Sequence, residues 1–139
     1  MTIMNKISII IPIFNEIKTL KTILERVENA DVLGLKKEII LVDDFSSDGT
    51  QELLRKYSQI ENYKVFFSVK NGGKGTAVRK GLKAATGDLF LIQDADLEYS
   101  PSDYPNLIKP ILEGKTEVVY GSRLKKTKKL IHEQYMEFQ

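Results

Sequence analysis

Several features are missing from this chain of 139 residues, and each absence excludes a class of protein or site. There is no cysteine, which excludes disulfide bonds and thiolate metal sites. The single histidine, His132, excludes a multi-histidine metal site within one chain. No apolar run approaches the roughly 20 residues that a helix needs to cross a bilayer. The net charge of +2 is too small to indicate a nucleic acid as the partner.

What is present is the composition of one globular domain. Hydrophobic residues make up 42% of the chain and charged residues 29%, which is ordinary for a soluble protein. The chain is long enough to bury a substantial core. Its N-terminus carries an early lysine, Lys6, and then a strand-length apolar run that contains Pro12, which is not typical of a signal peptide. We therefore expect a cytoplasmic protein.

Strand and helix patterns alternate from residue 6 to about residue 122. Short, apolar and mostly β-branched runs predict strands at residues 6–13, 38–42, 63–68, 89–92 and 117–120. Helical patterns separate them. The first follows residues 14–16 and ends near residue 30, and the others cover about 48–57, 76–85 and 104–112. This order predicts an α/β fold with a doubly wound, mostly parallel sheet. We interpret residues 1–123 as one domain and residues 124–139 as a basic tail with a weak helical pattern.

The central motif is the stretch GDLFLIQDADLEYSP at residues 87–101. It contains a predicted buried strand, followed by Asp94 and Asp96, with Glu98 two residues further on. Carboxylates one residue apart on an extended segment point the same way, so they can converge on one hard cation. An isolated motif of this kind is more often a solvated acidic turn. The polar residues that end the other strands favour a site instead.

Polar residues follow three of the predicted strands: Asn15-Glu16, Asp43-Asp44 and Asp94-Ala95-Asp96. The carboxyl ends of parallel strands lie side by side, so these groups are expected to face one crevice. Carboxylates there repel one another unless a cation or hydrogen-bond donors lie among them. Capping of the following helix explains any one of the pairs. The three together favour a binding site.

Two further segments offer positive charge for a phosphate. The turn NGGKG at residues 71–75 provides backbone N–H groups and the ammonium of Lys74, although plain turn geometry is the simpler interpretation of such a turn alone. It matches neither a Walker A loop nor a dinucleotide-binding glycine motif. Arg123 ends the last predicted strand and can form a bidentate pair with a phosphate. We interpret the lysines after it as a solvated tail.

Three other functions fit the acidic motif less well. An EF-hand loop requires glycine where this chain has Tyr99. A haloacid-dehalogenase-like phosphatase carries its aspartate pair after an early strand, whereas this pair comes late and is followed by Leu97. A sugar nucleotidyltransferase needs a glycine-rich loop directly after the first strand, where this chain has PIFNE.

The order and spacing of the motifs resemble those of family 2 glycosyltransferases with the GT-A fold. The segments that carry the resemblance are SIIIPIFNE, EIILVDDFSSDGT, NGGKGTAVRKGLKAATGD, QDADLEYSPSDYPNLIKPILEG and VVYGSR, which together cover residues 6–123. The likeness is greatest to the polyprenyl-phosphate sugar synthases, such as dolichyl-phosphate mannose synthase. It implies transfer of a hexose from a nucleotide-sugar of the UDP-glucose or GDP-mannose type. The acceptor would be a polyprenyl phosphate or another cell-envelope glycan acceptor, reached at the inner face of the membrane.

The resemblance also implies roles for individual residues. Nucleotide contacts are implied for the residues at the strand ends and the glycine turn, namely Pro12, Phe14, Glu16, Asp43, Asp44, Lys74 and Asp94. Asp94 and Asp96 match the pair that holds Mg²⁺ or Mn²⁺ against the donor diphosphate, and Glu98 lies where some relatives have a further ligand. Asp96 and Arg123 are implied to act in catalysis, Arg123 near the donor or acceptor phosphates.

The tail at residues 124–139 departs from the family, whose members continue with acceptor-binding helices. We therefore expect the chain to bind donor but to transfer sugar slowly or not at all, as a truncated fragment would. The alternative function is a non-catalytic nucleotide-sugar-binding module. The apolar residues of the tail predict a helix face that docks on a second copy, giving a homodimer; they are Leu130, Ile131, Tyr135, Met136 and Phe138.

Overall fold

The computed structural model of the chain describes residues 4–96 and 100–114. Several predictions lie outside these residues: the strand at 117–120, the tail at 124–139, and the roles of Glu98 and Arg123. Among the described residues, no helix has both the length and the apolar character that crossing a bilayer requires.

The described strands form one four-stranded sheet in which every pairing is parallel. They are β1 (Lys6–Ile13), β2 (Lys36–Asp43), β3 (Tyr63–Phe67) and β4 (Leu89–Ile92), in the spatial order β3-β2-β1-β4. The chain starts in the middle of the sheet, moves outward through β2 and β3, and then crosses to the other side of β1. This is a doubly wound order, so the predicted α/β fold is confirmed.

Helices connect the strands at the predicted places. They are α1 (Leu20–Asn29), α2 (Thr50–Tyr57), α3 (Lys74–Ala84) and α4 (Tyr104–Leu112), the last preceded by a 3₁₀ turn at Pro101–Asp103. α3 begins two residues before the predicted start at residue 76, because the glycine turn passes straight into the helix. Lys74 is consequently the first residue of α3.

Buried apolar side chains cover both faces of the central strands β1 and β2, as their apolar runs predict. The prediction that β4 is buried on both faces is wrong for Phe90, which is 51% exposed because β4 lies at the edge of the described sheet. One cluster joins β1 to α1, α2 and α4 and includes Ile7, Ile9, Ile11, Leu20, Ile23, Leu54 and Ile108. The second cluster lies under α3 and includes Ile10, Ile40, Val42 and Ala77. Gly81 permits the close approach of α3, because a Cβ there would lie 2.5 Å from Ile10 Cγ2. The two clusters thus pack the helices against both faces of the sheet and support the strand ends.

A buried carboxylate organises the amino end of the sheet. Glu38 on β2 is only 5% exposed, and it accepts hydrogen bonds from Ser8 Oγ (2.7 Å), Thr86 N (2.9 Å) and Thr86 Oγ1 (2.7 Å). Its Oε2 also lies 3.1 Å from Lys6 Nζ and 2.9 Å from Lys64 Nζ. Burial alone would raise the pKa of Glu38, but the hydrogen bonds from Thr86, Ser8 and Lys64 outweigh it and hold the pKa well below its usual range.

Candidate functional site

A cleft of about 320 Å³ lies at the carboxyl end of the sheet. The end of β1, the segments that follow β1, β2 and β4, and the start of α3 all contribute to it, as expected for parallel strands. Most of the predicted site residues line it: Pro12, Phe14, Glu16, Asp44, Lys74, Asp94 and Asp96, together with Ile13, Ala77 and Ala95. The structure therefore brings these residues together, and their individual roles remain predictions.

Asp43 takes a different position from its neighbour Asp44. It is fully buried and does not line the cleft. Its Oδ2 accepts hydrogen bonds from Ser46 N (3.0 Å) and Gln51 Nε2 (2.9 Å), which hold the loop after β2. Its Oδ1 is buried without a hydrogen-bond partner among the described residues. The hydrogen bonds of Asp43 thus support the loop after β2 from the side away from the cleft, and a nucleotide contact remains a prediction for it.

Two hydrogen bonds, which we call the loop clip, join the loop after β1 to the loop after β2. Asn15 N donates to Ser46 Oγ (2.8 Å), and Ser47 N donates to Asn15 Oδ1 (2.8 Å). Asn15 adopts a positive φ of 51°, which asparagine tolerates better than most residues. The clip fixes the cleft wall that carries Phe14 and Glu16. The sequence analysis placed Asn15 among the polar residues at the strand ends. No sequence pattern indicated that Ser46 and Ser47 would be its hydrogen-bond partners.

Asp44 holds the glycine turn against the cleft. Its two carboxylate oxygens accept hydrogen bonds from Gly72 N (2.9 Å) and Gly73 N (2.8 Å). Gly73 has a φ of 88° and a ψ of 165°, a conformation that is open to glycine but strained for other residues. The turn therefore delivers the start of α3 to the cleft in a defined orientation. There, Lys74 Nζ forms an ion pair with Asp94 Oδ1.

The segment after β4 is braced from two sides. The hydroxyl of Thr19 lies 2.7 Å from Ala95 O and 2.9 Å from Glu16 Oε2, which links this segment to the loop after β1. On its other side, the hydroxyl of Tyr104, the first residue of α4, donates to Gln93 Oε1 (2.7 Å). Burial raises the pKa of Tyr104, so it remains a neutral donor. Thr19 and Tyr104 were missed by the sequence reasoning, because Ala95 is 76 residues from Thr19 and no motif marks the contact between Tyr104 and Gln93.

The charges of the cleft suit a cation that is shared with a ligand. Its described lining carries the carboxylates of Glu16, Asp44, Asp94 and Asp96 and the single ammonium of Lys74. Within residues 4–96 and 100–114, no three potential ligands lie close enough to hold a metal by themselves. Mg²⁺ typically binds one or two carboxylates and completes its shell with water and substrate phosphates. The residues present therefore fit a divalent ion held between Asp94, Asp96 and a phosphorylated ligand.

Sequence comparison places the chain among known proteins. The profile described as Glycosyl transferase family 2 matches residues 8–138. A dolichol-phosphate mannosyltransferase of Pyrococcus furiosus is 41% identical over 118 residues, which is 85% of this chain and 33% of that protein. The chain thus spans about a third of the length of the curated relatives that it matches.

Solved structures resemble the described fold. The structure of S. aureus TarS 1-349 in complex with UDP-GlcNAc is 29% identical, with a TM-score of 0.65, over 78% of this chain and 31% of that one. The mannosyltransferase PcManGT from Pyrobaculum calidifontis, in complex with GDP-Man and Mn²⁺, is 27% identical. Its TM-score is 0.63, over 73% of this chain and 30% of that one.

Proposed function

The chain belongs to glycosyl transferase family 2, and from that premise we propose that it binds the donor in a metal-dependent transfer of a hexose. The donor would be a nucleotide-sugar of the UDP-glucose or GDP-mannose type. The acceptor would be a polyprenyl phosphate or another cell-envelope glycan acceptor. The observation that carries this proposal is the single cleft in which Asp44, Lys74, Asp94 and Asp96 meet.

The residues that line the cleft indicate where each part of the donor would bind. Pro12 and Phe14 give one wall an apolar character, and Phe14 is half exposed, so the base can lie against it. Asp44 faces the same cleft, and its oxygens retain lone pairs that can accept from a uracil or guanine edge. The diphosphate would then reach Lys74 and the paired aspartates. Complexes of the similar structures with UDP-GlcNAc and with GDP-Man and Mn²⁺ support this class of ligand.

The chain's own residues would control the charge of the leaving group. Asp94 and Asp96 would hold Mg²⁺ or Mn²⁺, and such an ion neutralises negative charge on a departing diphosphate. Lys74 adds an ammonium at the same wall of the cleft. The braces from Thr19 and Tyr104 keep the aspartate segment in position before the donor arrives. Glu98 and Arg123, outside the described residues, are proposed to add a metal ligand and a phosphate contact.

The acceptor proposal depends on the relatives. The dolichol-phosphate mannosyltransferase is named for a polyprenyl-phosphate acceptor, and it is 41% identical to this chain. A polyprenyl phosphate is a membrane lipid, so the reaction would take place at a membrane surface, which we propose to be the inner face. The acceptor oxygen must be held in line with the anomeric carbon, and positioning of this kind supplies several kcal/mol of a reaction barrier (~7–11 kcal/mol at most).

Calorimetry tests donor binding directly. UDP and GDP are titrated into the chain with Mn²⁺, with Mg²⁺ and with EDTA, and UMP and GMP serve as controls without the β-phosphate. We expect one of the diphosphates to bind at least about tenfold more tightly with metal than with EDTA, and both monophosphates to bind weakly. Equal affinities with Mn²⁺ and EDTA would contradict the metal assignment.

Turnover separates an enzyme from a binding module. The chain is incubated with UDP-glucose or GDP-mannose, Mg²⁺ and a polyprenyl phosphate, and glycolipid is measured. Product formation that depends on the chain supports the transferase. Metal-dependent binding of nucleotide with no glycolipid from either donor would favour a non-catalytic nucleotide-sugar-binding module.

A further inference from the structure

We propose that Lys74 is the resident counter-ion of Asp94 while donor and metal are absent, and that it makes metal binding depend on the donor diphosphate. This inference rests on the proposed function and deepens it, because it assigns a regulatory role to one residue of the same cleft. The juxtaposition that carries it is the contact between Lys74 Nζ and Asp94 Oδ1.

The contact joins a solvent-facing lysine to a largely withdrawn carboxylate. The side chain of Lys74 is 61% exposed, whereas that of Asp94 is 16% exposed. Lys74 therefore reaches in from solvent to an aspartate that is one of the two proposed metal ligands. A divalent ion bound at Asp94 would meet this ammonium, and two cations on one carboxylate repel each other.

The backbone holds Lys74 in this position although the location is unfavourable for a cation. Lys74 opens α3, where the positive end of the helix dipole lies, and the first turn of α3 contains no acidic residue. Asp44 fixes the two preceding amides, those of Gly72 and Gly73, and so aims the lysine at the cleft. The carboxylate of Asp94 offsets the unfavourable position.

A diphosphate changes this balance because it brings negative charge of its own. Asp94 and Asp96 can then hold the metal, and the displaced ammonium of Lys74 can move to the phosphate oxygens. Lys74 is the only lysine or arginine among the described residues that line the cleft, so this exchange falls to one side chain. Metal and nucleotide therefore bind cooperatively, and by linkage each strengthens the other by the same factor.

Manganese titrations followed by electron paramagnetic resonance test the proposal, because free Mn²⁺ gives a signal that decreases on binding. The variants are Lys74→Met, which removes the charge, and Lys74→Arg, which keeps it. Lys83→Met is the matched control, with the same substitution at an exposed position near the other end of α3. Each protein is titrated alone and with saturating UDP or GDP, and its melting temperature verifies folding.

We expect Lys74→Met to bind Mn²⁺ alone about three- to tenfold more tightly than the wild type, as removal of one partly exposed competing charge implies. Lys83→Met and Lys74→Arg should remain within about twofold of the wild type on the same reasoning. The factor by which the nucleoside diphosphate tightens Mn²⁺ binding should shrink in Lys74→Met only. If Lys74→Met does not fold, Lys74→Gln provides the same comparison with a polar side chain.

Two results would overturn the proposal in distinguishable ways. Equal or weaker Mn²⁺ affinity in folded Lys74→Met, with metal-dependent nucleotide binding intact in the wild type, would remove the counter-ion role alone. No Mn²⁺ binding by any of these proteins, with or without nucleotide, would remove it together with the proposed metal-dependent function.

Discussion

Acidic side chains lie at both ends of the sheet, but their surroundings differ. At the amino end, Glu38 is enclosed by hydroxyl, amide and ammonium donors from its own chain. At the carboxyl end, Glu16, Asp94 and Asp96 line an open cleft. A carboxylate whose partners are all internal stabilises the fold, whereas a group of carboxylates around a cleft is placed to receive a cation from outside. The surroundings of each acid, rather than its residue type, thus indicate its role.

The largest expected effect comes from breaking the closed end. Glu38→Gln replaces a carboxylate with an amide, whose N–H groups face the donors of Thr86 and Lys64. We expect the free energy of unfolding to fall by about 3 kcal/mol, because removing one partner of a buried ionic network is costly. Urea denaturation measures this, with Glu61→Gln at an exposed position as the control. The nucleotide affinity of the folded variant should not change. A lower affinity would contradict the separate roles that we assign to the two ends of the sheet.

The reverse pattern is expected at the open end. Asp96→Asn keeps the shape of the side chain but removes its charge, so the metal loses one proposed ligand. Affinity for the nucleoside diphosphate in Mn²⁺ should fall about thirtyfold, or about 2 kcal/mol, with little change in melting temperature. Asp31→Asn, in an exposed loop after α1, is the matched control in calorimetry. A melting temperature lowered as much as in Glu38→Gln would show that Asp96 is structural as well.

Asp44 combines features of both ends, since it lines the cleft and accepts hydrogen bonds from the glycine turn. Asp44→Ala leaves the amides of Gly72 and Gly73 without their acceptor and removes the proposed base contact. We expect affinity for UDP or GDP to fall by about 1–2 kcal/mol, together with a small loss of stability. Calorimetry on the variant measures the loss. Unchanged affinities for both nucleotides would show that Asp44 serves the turn alone.

The pH dependence of the free energy of unfolding provides the smallest expected effect in this comparison. The pKa of Glu38 is lowered in the folded state from its ordinary value of 4.5, so the stability that it contributes is present above that value and is lost as the pH falls. Between pH 4.5 and 3.5, the wild type should lose about 1 kcal/mol through this group, and Glu38→Gln should not. Urea denaturation at the two pH values measures the difference. Parallel losses in the two proteins would contradict the role assigned to Glu38.

The described strands were predicted well because most of them are short apolar runs that a parallel sheet can bury, although β3 contains Lys64 and is mostly half-buried. The sequence also predicted which residues would meet at the carboxyl end, since topology alone brings strand ends together. The roles of Asp43 and Asp44 were harder to separate. Successive residues of an extended segment face opposite ways, and only the packed structure shows that Asp44 lines the cleft.

Other features escaped prediction, either because they depend on partners far away in the chain or because the local pattern is ambiguous. Glu38 was interpreted only as a strand residue, since Ser8, Lys64 and Thr86 are separated from it in sequence. The start of α3 at Lys74 was placed too late, because a glycine-rich segment is typical of a turn and gives no sign of where the helix begins. That boundary matters, since it brings the lysine to Asp94.

The loop clip also has a consequence for the order in which the protein folds. Asn15 and Ser46 are 31 residues apart, whereas Thr19 and Ala95 are 76 apart. Closing the longer loop costs about 0.8 kcal/mol more in chain entropy, so the wall with Phe14 and Asp44 is expected to form before the wall with the paired aspartates. Asn15→Ala should then slow refolding, and Thr19→Ala should mainly speed unfolding, which stopped-flow kinetics can measure. The cleft would then be completed late in folding, when the segment with Asp94 and Asp96 packs against the rest of the site.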